Sequence, residues 1–338
     1  SNYNLRSFKV CGSSYVGALA GVADNSTVTS CTATDLEVTG SYNYNTGSYF
    51  AGIGGLIGFN SGVLTDSEVG GKVNALDNYS YVGGLVGWDA GLLVNVRSLA
   101  EVSGFMKQSY VGGLTGYEGG KVSSASVVSS IHGGYCTGGL IGSTSAQARV
   151  SEVSARCSVD TRGEETTGAL SAGGLIGLNY GTVSGALADG SVESLDGQPN
   201  AYWGGLIGYN GGPVEDAWSS GTVFANSNLG GLIGVNVADV KNCHSETSVL
   251  GDAEGAYAGG LIGLNSGSVA SCYAVEDVFG GTSVGGLMGD NSGKVSSCVA
   301  KGSIVGEDQT GGLVGANSGS IMTSFASGLV AGVDYVGG

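Results

Sequence analysis

One pentad, Gly-Gly-Leu-x-Gly, recurs down this chain and constrains its fold more than any other feature. It starts at Gly54, Gly83, Gly112, Gly138, Gly173, Gly204, Gly230, Gly259, Gly285 and Gly311. A worn copy, GALAG, starts at Gly17, and a bare Gly337-Gly338 closes the chain. Successive heads lie 37, 29, 29, 26, 35, 31, 26, 29, 26, 26 and 26 residues apart. The core period is therefore 26, and the longer copies carry extra residues. Such a period is the signature of a solenoid, in which each unit buries its apolar side only against its neighbours.

With the first Gly of each head as position 0, the pattern within a copy reads as strand. Position 2 is Leu in every copy. Position 10 is Val or Ile in the later copies, from Val183 and Val214 to Val295 and Ile321. Positions 13 and 15 are small, as in Cys272 and Ala274, while the residue between them varies freely. Position 19 is again β-branched, as in Val223, Val249 and Ile304. Alternation of period two belongs to strands, and glycine at this frequency penalises a helix by roughly 1 kcal/mol per residue. The expected fold is all-β: a right-handed parallel β-helix of about eleven coils, with three short strands per coil. One strand would carry the head, one positions 9 to 15 and one positions 18 to 21. Gly or Asn-Ser-Gly would mark the corners, where positive φ is cheap.

The repeat overrides the two or three domains that 338 residues would ordinarily suggest, so residues 1–338 read as one domain. Opening at Ser1 and closing mid-repeat, the chain reads as part of a longer protein. Glycine accounts for 67 residues and proline for two, without the every-third-residue glycine of collagen. Disorder is disfavoured because aliphatic residues hold fixed positions and only 12% of residues are charged. A net charge of −16 with no basic patch makes nucleic acid and anionic membrane surfaces poor partners. Every apolar run is interrupted well short of a membrane span, so membrane insertion is not expected. Seven cysteines without a C-x-x-C pair, and two histidines, point to no metal site and no cofactor. Cys243, Cys272 and Cys298 share one repeat position and read as buried free thiols.

Two sets of residues stand out. Position 6 is Asn at Asn60, Asn179, Asn210, Asn236, Asn265, Asn291 and Asn317. Asparagine in register on stacked strands can form a structural amide ladder. The extra residues of the longer copies fall mostly between position 21 and the next head, so they should emerge along one edge. The longest such stretch is Ser41 to Ile53. Tyr also recurs two residues before the head, as at Tyr15, Tyr81, Tyr110, Tyr202 and Tyr257. Solenoid loops on one face are a usual place for binding. Tyr42, Tyr44, Tyr49, Tyr79 and Trp203 are the candidate binding residues of this edge, able to stack on sugar rings or peptide.

The run G-G-L-[IV]-G-x-N-x-G-x-[VI], as in GGLIGLNSGSV at Gly259 and GGLVGANSGSI at Gly311, resembles the GLUG motif of bacterial secreted and surface proteins. Those include IgA-cleaving metallopeptidases and haemagglutinin-like adhesins. The resemblance implies an extracellular or cell-surface β-solenoid, a stalk or an adhesive region, and not peptidase activity. No His-Glu-x-x-His is present. Catalysis finds no other footing. Acids such as Glu68, Glu101, Glu152, Glu215 and Glu254 are dispersed and hold no common position across adjacent copies. His132 and Cys136 lie four apart without a surrounding motif. The chain is therefore expected to be non-enzymatic. Its candidate partners are a host or matrix glycan or protein, or itself end to end as a filament. A polysaccharide-degrading β-helix is the remaining alternative.

Overall fold

The computed structural model describes residues 3–42, 50–104, 108–161, 170–194, 200–252 and 257–338. Those residues are strand, turn and bend, with no helix among them. The chain coils as a parallel β-solenoid with three sheets running its length. Two sheets have eleven strands each, one strand per rung, and the third has 24. Rungs are numbered here by their heads, from rung 1 at Gly17 to rung 11 at Gly311.

The head does not lie on one strand. The approach sheet ends at the first glycine of the head, as in Ser80–Gly83, and the return sheet starts at position 3, as in Val86–Asp89. Between them the chain turns back at Gly84-Leu85. Gly58 shows why glycine is required at position 4. An added Cβ there would lie 2.6 Å from the Gly21 carbonyl oxygen and 2.6 Å from the Val16 nitrogen, both main-chain atoms of the preceding rung. Main chain thus packs against main chain across this hairpin-like bend. Even the bend is bonded along the rod: Leu56 N–H donates to the Leu85 carbonyl at 2.9 Å, and Leu85 N–H to that of Leu114 at 3.0 Å.

Positions 9 to 21 form a single broad sheet rather than two separate faces. In rungs 5 to 7 they run as unbroken strands, Arg149–Thr161, Thr182–Ser194 and Val214–Ala225. The expected left-handed corner at Asn-Ser-Gly is not there, and no residue of those corners has positive φ. Gly181 is needed instead for close approach, since a Cβ would meet the Ala148 carbonyl oxygen of the preceding rung at 2.6 Å. The left-handed residue stands at position 12. Asp66, Asn95, Ser124, Asp216, Asn242, Ser271 and Ser297 have φ between 51° and 56°. Its effect is on parity. Positions 10 and 13 are three apart, yet Val240 and Cys243 are both buried, as are Val269 and Cys272. One reversed residue between them flips the alternation so that both point inward.

The core is a set of columns. Head leucines from Leu56 to Leu287 are fully buried, and Leu19 and Leu313, in the terminal rungs, are partly so. Valine and isoleucine at positions 10 and 19 complete the interior with small residues at 13 and 15. None of the seven cysteines is in a disulfide, and all but Cys11 are buried. The Sγ–H groups of Cys243, Cys272 and Cys298 donate to the carbonyls two residues back at 3.1, 3.2 and 3.2 Å. These thiols are satisfied as small core groups.

Candidate binding edge

The residues before and after the bend meet on the outside of the rod. Tyrosines at position −2 leave the approach sheet, and residues at position 5 leave the return sheet beside them. In rungs 1 to 4 position 5 is Val22, Phe59, Trp88 and Tyr117. The Tyr81 ring lies 5.6 Å from Trp88 and 5.0 Å from Tyr117. Trp88 meets Phe59 at 5.2 Å and Tyr117 at 6.1 Å, both in T-shaped contacts. Phe50 stacks on Tyr81 at 4.6 Å, and Tyr110 continues the row to Tyr135 at 5.5 Å. Further along, Tyr209 lies between Tyr180 and Tyr202, at 6.0 and 5.7 Å. These rings are half-buried, apart from the exposed Tyr180. Burial holds the hydroxyls of Tyr81, Tyr110, Tyr117 and Tyr135 above the usual tyrosine range. The edge therefore offers apolar ring surface with neutral hydroxyls, a combination suited to sugar or peptide rather than to ions.

From rung 8 onward the same edge is different. Position 5 becomes Val235, Leu264 and Asp290, and a shallow cleft of about 280 Å³ opens over Val235, Leu264 and Asp290. From rung 7 onward the outer face of the broad sheet carries aromatic residues of its own. Trp218, His244 and Tyr273 form a column at position 14, with ring centres 4.6 and 4.7 Å apart. Phe224 and Phe279 are exposed at position 20.

Position 6 points the other way from these rings and is buried. Asn179 Nδ2 donates to Asn210 Oδ1 at 2.8 Å, and Asn210, Asn236 and Asn265 repeat the bond to Asn236, Asn265 and Asn291 at 2.8 Å each. Asn291 donates to Asn317 at 2.7 Å. Several of these amides also cap their own corners, as Asn179 Oδ1 does for the Gly181 N–H at 3.1 Å and Asn265 Oδ1 for the Gly267 N–H at 3.3 Å. Asn60 stands apart from this run. Its Nδ2 donates to Asp89 Oδ1 at 2.6 Å, and rungs 4 and 5 carry Glu118 and Thr144 in the same position.

The sequence-derived binding residues fare unequally. Tyr42 and Tyr79 lie together, with ring centres 5.9 Å apart, and Phe50 joins them to the aromatic row at 6.0 Å from Tyr79. Tyr44 and Tyr49 lie outside the described residues. Trp203 is a correction: it is fully buried, and its Nε1 has no hydrogen-bond partner. It occupies position −1, whose equivalents Ile53, Val82 and Val111 are core residues, while only position −2 faces outward. Phe59, Trp88, Tyr117 and Tyr209 were missed. Their shared place between the head glycine and the position-6 residue was the available signal.

The acids also need correcting. Asp89 and Glu118 do hold one position on adjacent rungs, paired in register and fully buried. His132 Nδ1 lies 2.7 Å from Asp160 Oδ2 on the next rung, and the buried Cys136 thiol is pushed well up by desolvation.

A family profile described as the GLUG motif matches residues 12–39, around the worn head at Gly17. No curated protein and no solved structure shows a match. The molecule is a β-solenoid that carries the GLUG motif.

Proposed function

We propose that this GLUG-motif solenoid is a non-enzymatic, extracellular stalk or adhesin region of a bacterial surface protein. In this reading it binds a host or matrix glycan or protein along the aromatic edge of rungs 2 to 7. The observation that supports this is the row of half-buried rings that follows the bend from Phe59 and Trp88 to Tyr209. Aromatic surface held by rigid strands gives a ligand large contact area at little entropic cost. The buried carboxyl pair has no opening to solvent, so it offers no substrate a general acid. A linear ligand lying along the rod would touch several rungs at once and gain from each.

A glycan and matrix-protein array tests this directly. Trp88→Ala with Tyr117→Ala is expected to weaken binding to any hit by roughly tenfold or more, at about 0.5–1.5 kcal/mol per aromatic contact. Trp218→Ala, on the broad sheet, is expected to leave that binding unchanged. An array without hits, or a hit lost equally in Trp218→Ala, overturns the assignment.

A further inference from the structure

We propose that Asp89 and Glu118 hold a single proton between them inside the rod, and that its loss on the alkaline side loosens the joint between rungs 3 and 4. The argument is a count of hydrogens. Along the amide ladder each rung donates an N–H to the next. At rung 3 this supply stops. Asp89 Oδ1 accepts from Asn60 Nδ2 at 2.6 Å, and Asp89 Oδ2 accepts from the Gly91 N–H at 3.2 Å. Glu118 Oε1 accepts from the Gly120 N–H at 2.8 Å. Glu118 Oε2 is buried without a partner. The next rung cannot serve it, because Thr144 spends its one hydroxyl hydrogen on Asn179 Oδ1 at 2.7 Å. A proton on Glu118 Oε2, donated to Asp89, is the one hydrogen that closes the gap.

Among the described residues no countercharge stands nearby. The strands packed around the pair are Ala51–Gly54, Ile57–Asn60, Ser80–Gly83, Tyr110–Gly112 and Ile141–Thr144, and none has a charged side chain. Their titratable groups are Tyr81 and Tyr110, joined by Tyr117 beside Glu118, and burial keeps all three neutral. Lys121 follows the Gly120 corner but is exposed. Two carboxylates one rung apart, at about 4.8 Å, would repel one another without compensation. Burial accordingly raises the Asp89 carboxyl to about 6. Burial, then the neighbouring Asp89 charge, holds Glu118 well above the carboxylate range.

Both groups are raised above their unfolded values near 4. Their contribution to stability is therefore fully present below about pH 4 and is lost progressively as pH rises from there through the folded values, about 6 for Asp89. Rungs 1 to 3 should then exchange amide hydrogens faster than rungs 6 to 10.

The test is thermal unfolding of the whole chain from pH 5 to pH 9, beside Asp89→Asn/Glu118→Gln. The surface charge is common to both proteins, so the difference isolates the pair. The expected result is a melting temperature that falls more steeply with pH in the natural chain, by several degrees across the range. Superimposable pH profiles overturn the proposal. If the double variant fails to fold, infrared spectroscopy of the natural chain at pH 7 decides. A protonated-carboxyl stretch supports the shared proton, and its absence overturns it.

Discussion

Rungs 2 to 5 and rungs 7 to 10 have nearly the same interior and different exteriors. In both stretches the head leucine, the position-10 residue and the position-19 residue are buried in register. Outside, the early rungs put their rings on the bend and their ion pairs on the broad sheet: Arg97 to Glu68 at 3.5 Å, Lys72 to Glu101 at 2.9 Å and Arg156 to Asp189 at 2.9 Å. The later rungs put Trp218, Tyr273, Phe224 and Phe279 on the broad sheet, beside one ion pair from Lys241 to Glu215 at 3.0 Å, and beyond Tyr209 of rung 7 they fill position 5 of the bend with Val235, Leu264 and Asp290. Strand pairing fixes which residues point inward, and it is indifferent to what points outward. One scaffold can thus present different surfaces at different heights.

This contrast can be broken at its largest effect by comparing aromatic residues inside and outside. Trp203→Ala should cost about 3–5 kcal/mol by opening a large void in the core. Trp218→Ala, 38% exposed, should cost well under half of that. Equal losses in denaturant titrations would show that the broad-sheet column is part of the packing and not a free surface. The next effect concerns the position-6 ladder. Asn236→Ala strips partners from Asn210 and Asn265 and should cost about 1–3 kcal/mol. Asn317→Ala, at the exposed end, should cost little. Equal costs would mean that the corners are held by main-chain bonds alone. The smallest effect is electrostatic. Lys72→Ala should change stability by under about 1 kcal/mol, and the difference should vanish in molar salt. A larger, salt-insensitive loss would make the early rungs' ion pairs structural.

Much of the fold could be read because its determinants repeat. Leu at position 2 and β-branched residues at 10 and 19 are the same few side chains doing the same thing in each rung. The left-handed residue at position 12 was invisible for the opposite reason. Asp66, Asn95, Ser124, Ser271 and Thr323 are all short polar residues of the kind that tolerates a left-handed turn, but the residue type changes from rung to rung and does not stand out as Leu does. The division of the head between two sheets was hidden in a similar way. Glycines at positions 0, 1 and 4 announce a close approach, but not that the opposing surface is the main chain of the neighbouring rungs. Trp203 was misplaced by attending to the loop preceding it, when its offset of one residue from the head already put it with Val82 and Val111. Asp89 and Glu118 escaped notice because asparagine was followed as a residue type and not as a place in the register.

The main-chain bonds along all three sheets point down the long axis, from each rung to the next. Traction applied at the two ends therefore pulls on those bonds lengthwise and does not slide strands past one another. Such a rod yields like a coil paid out from its tip, one turn after another, and each released turn lengthens the tether while the remainder stays wound. In the proposed stalk role, such a rod would give ground gradually under drag and rewind when the drag ceased.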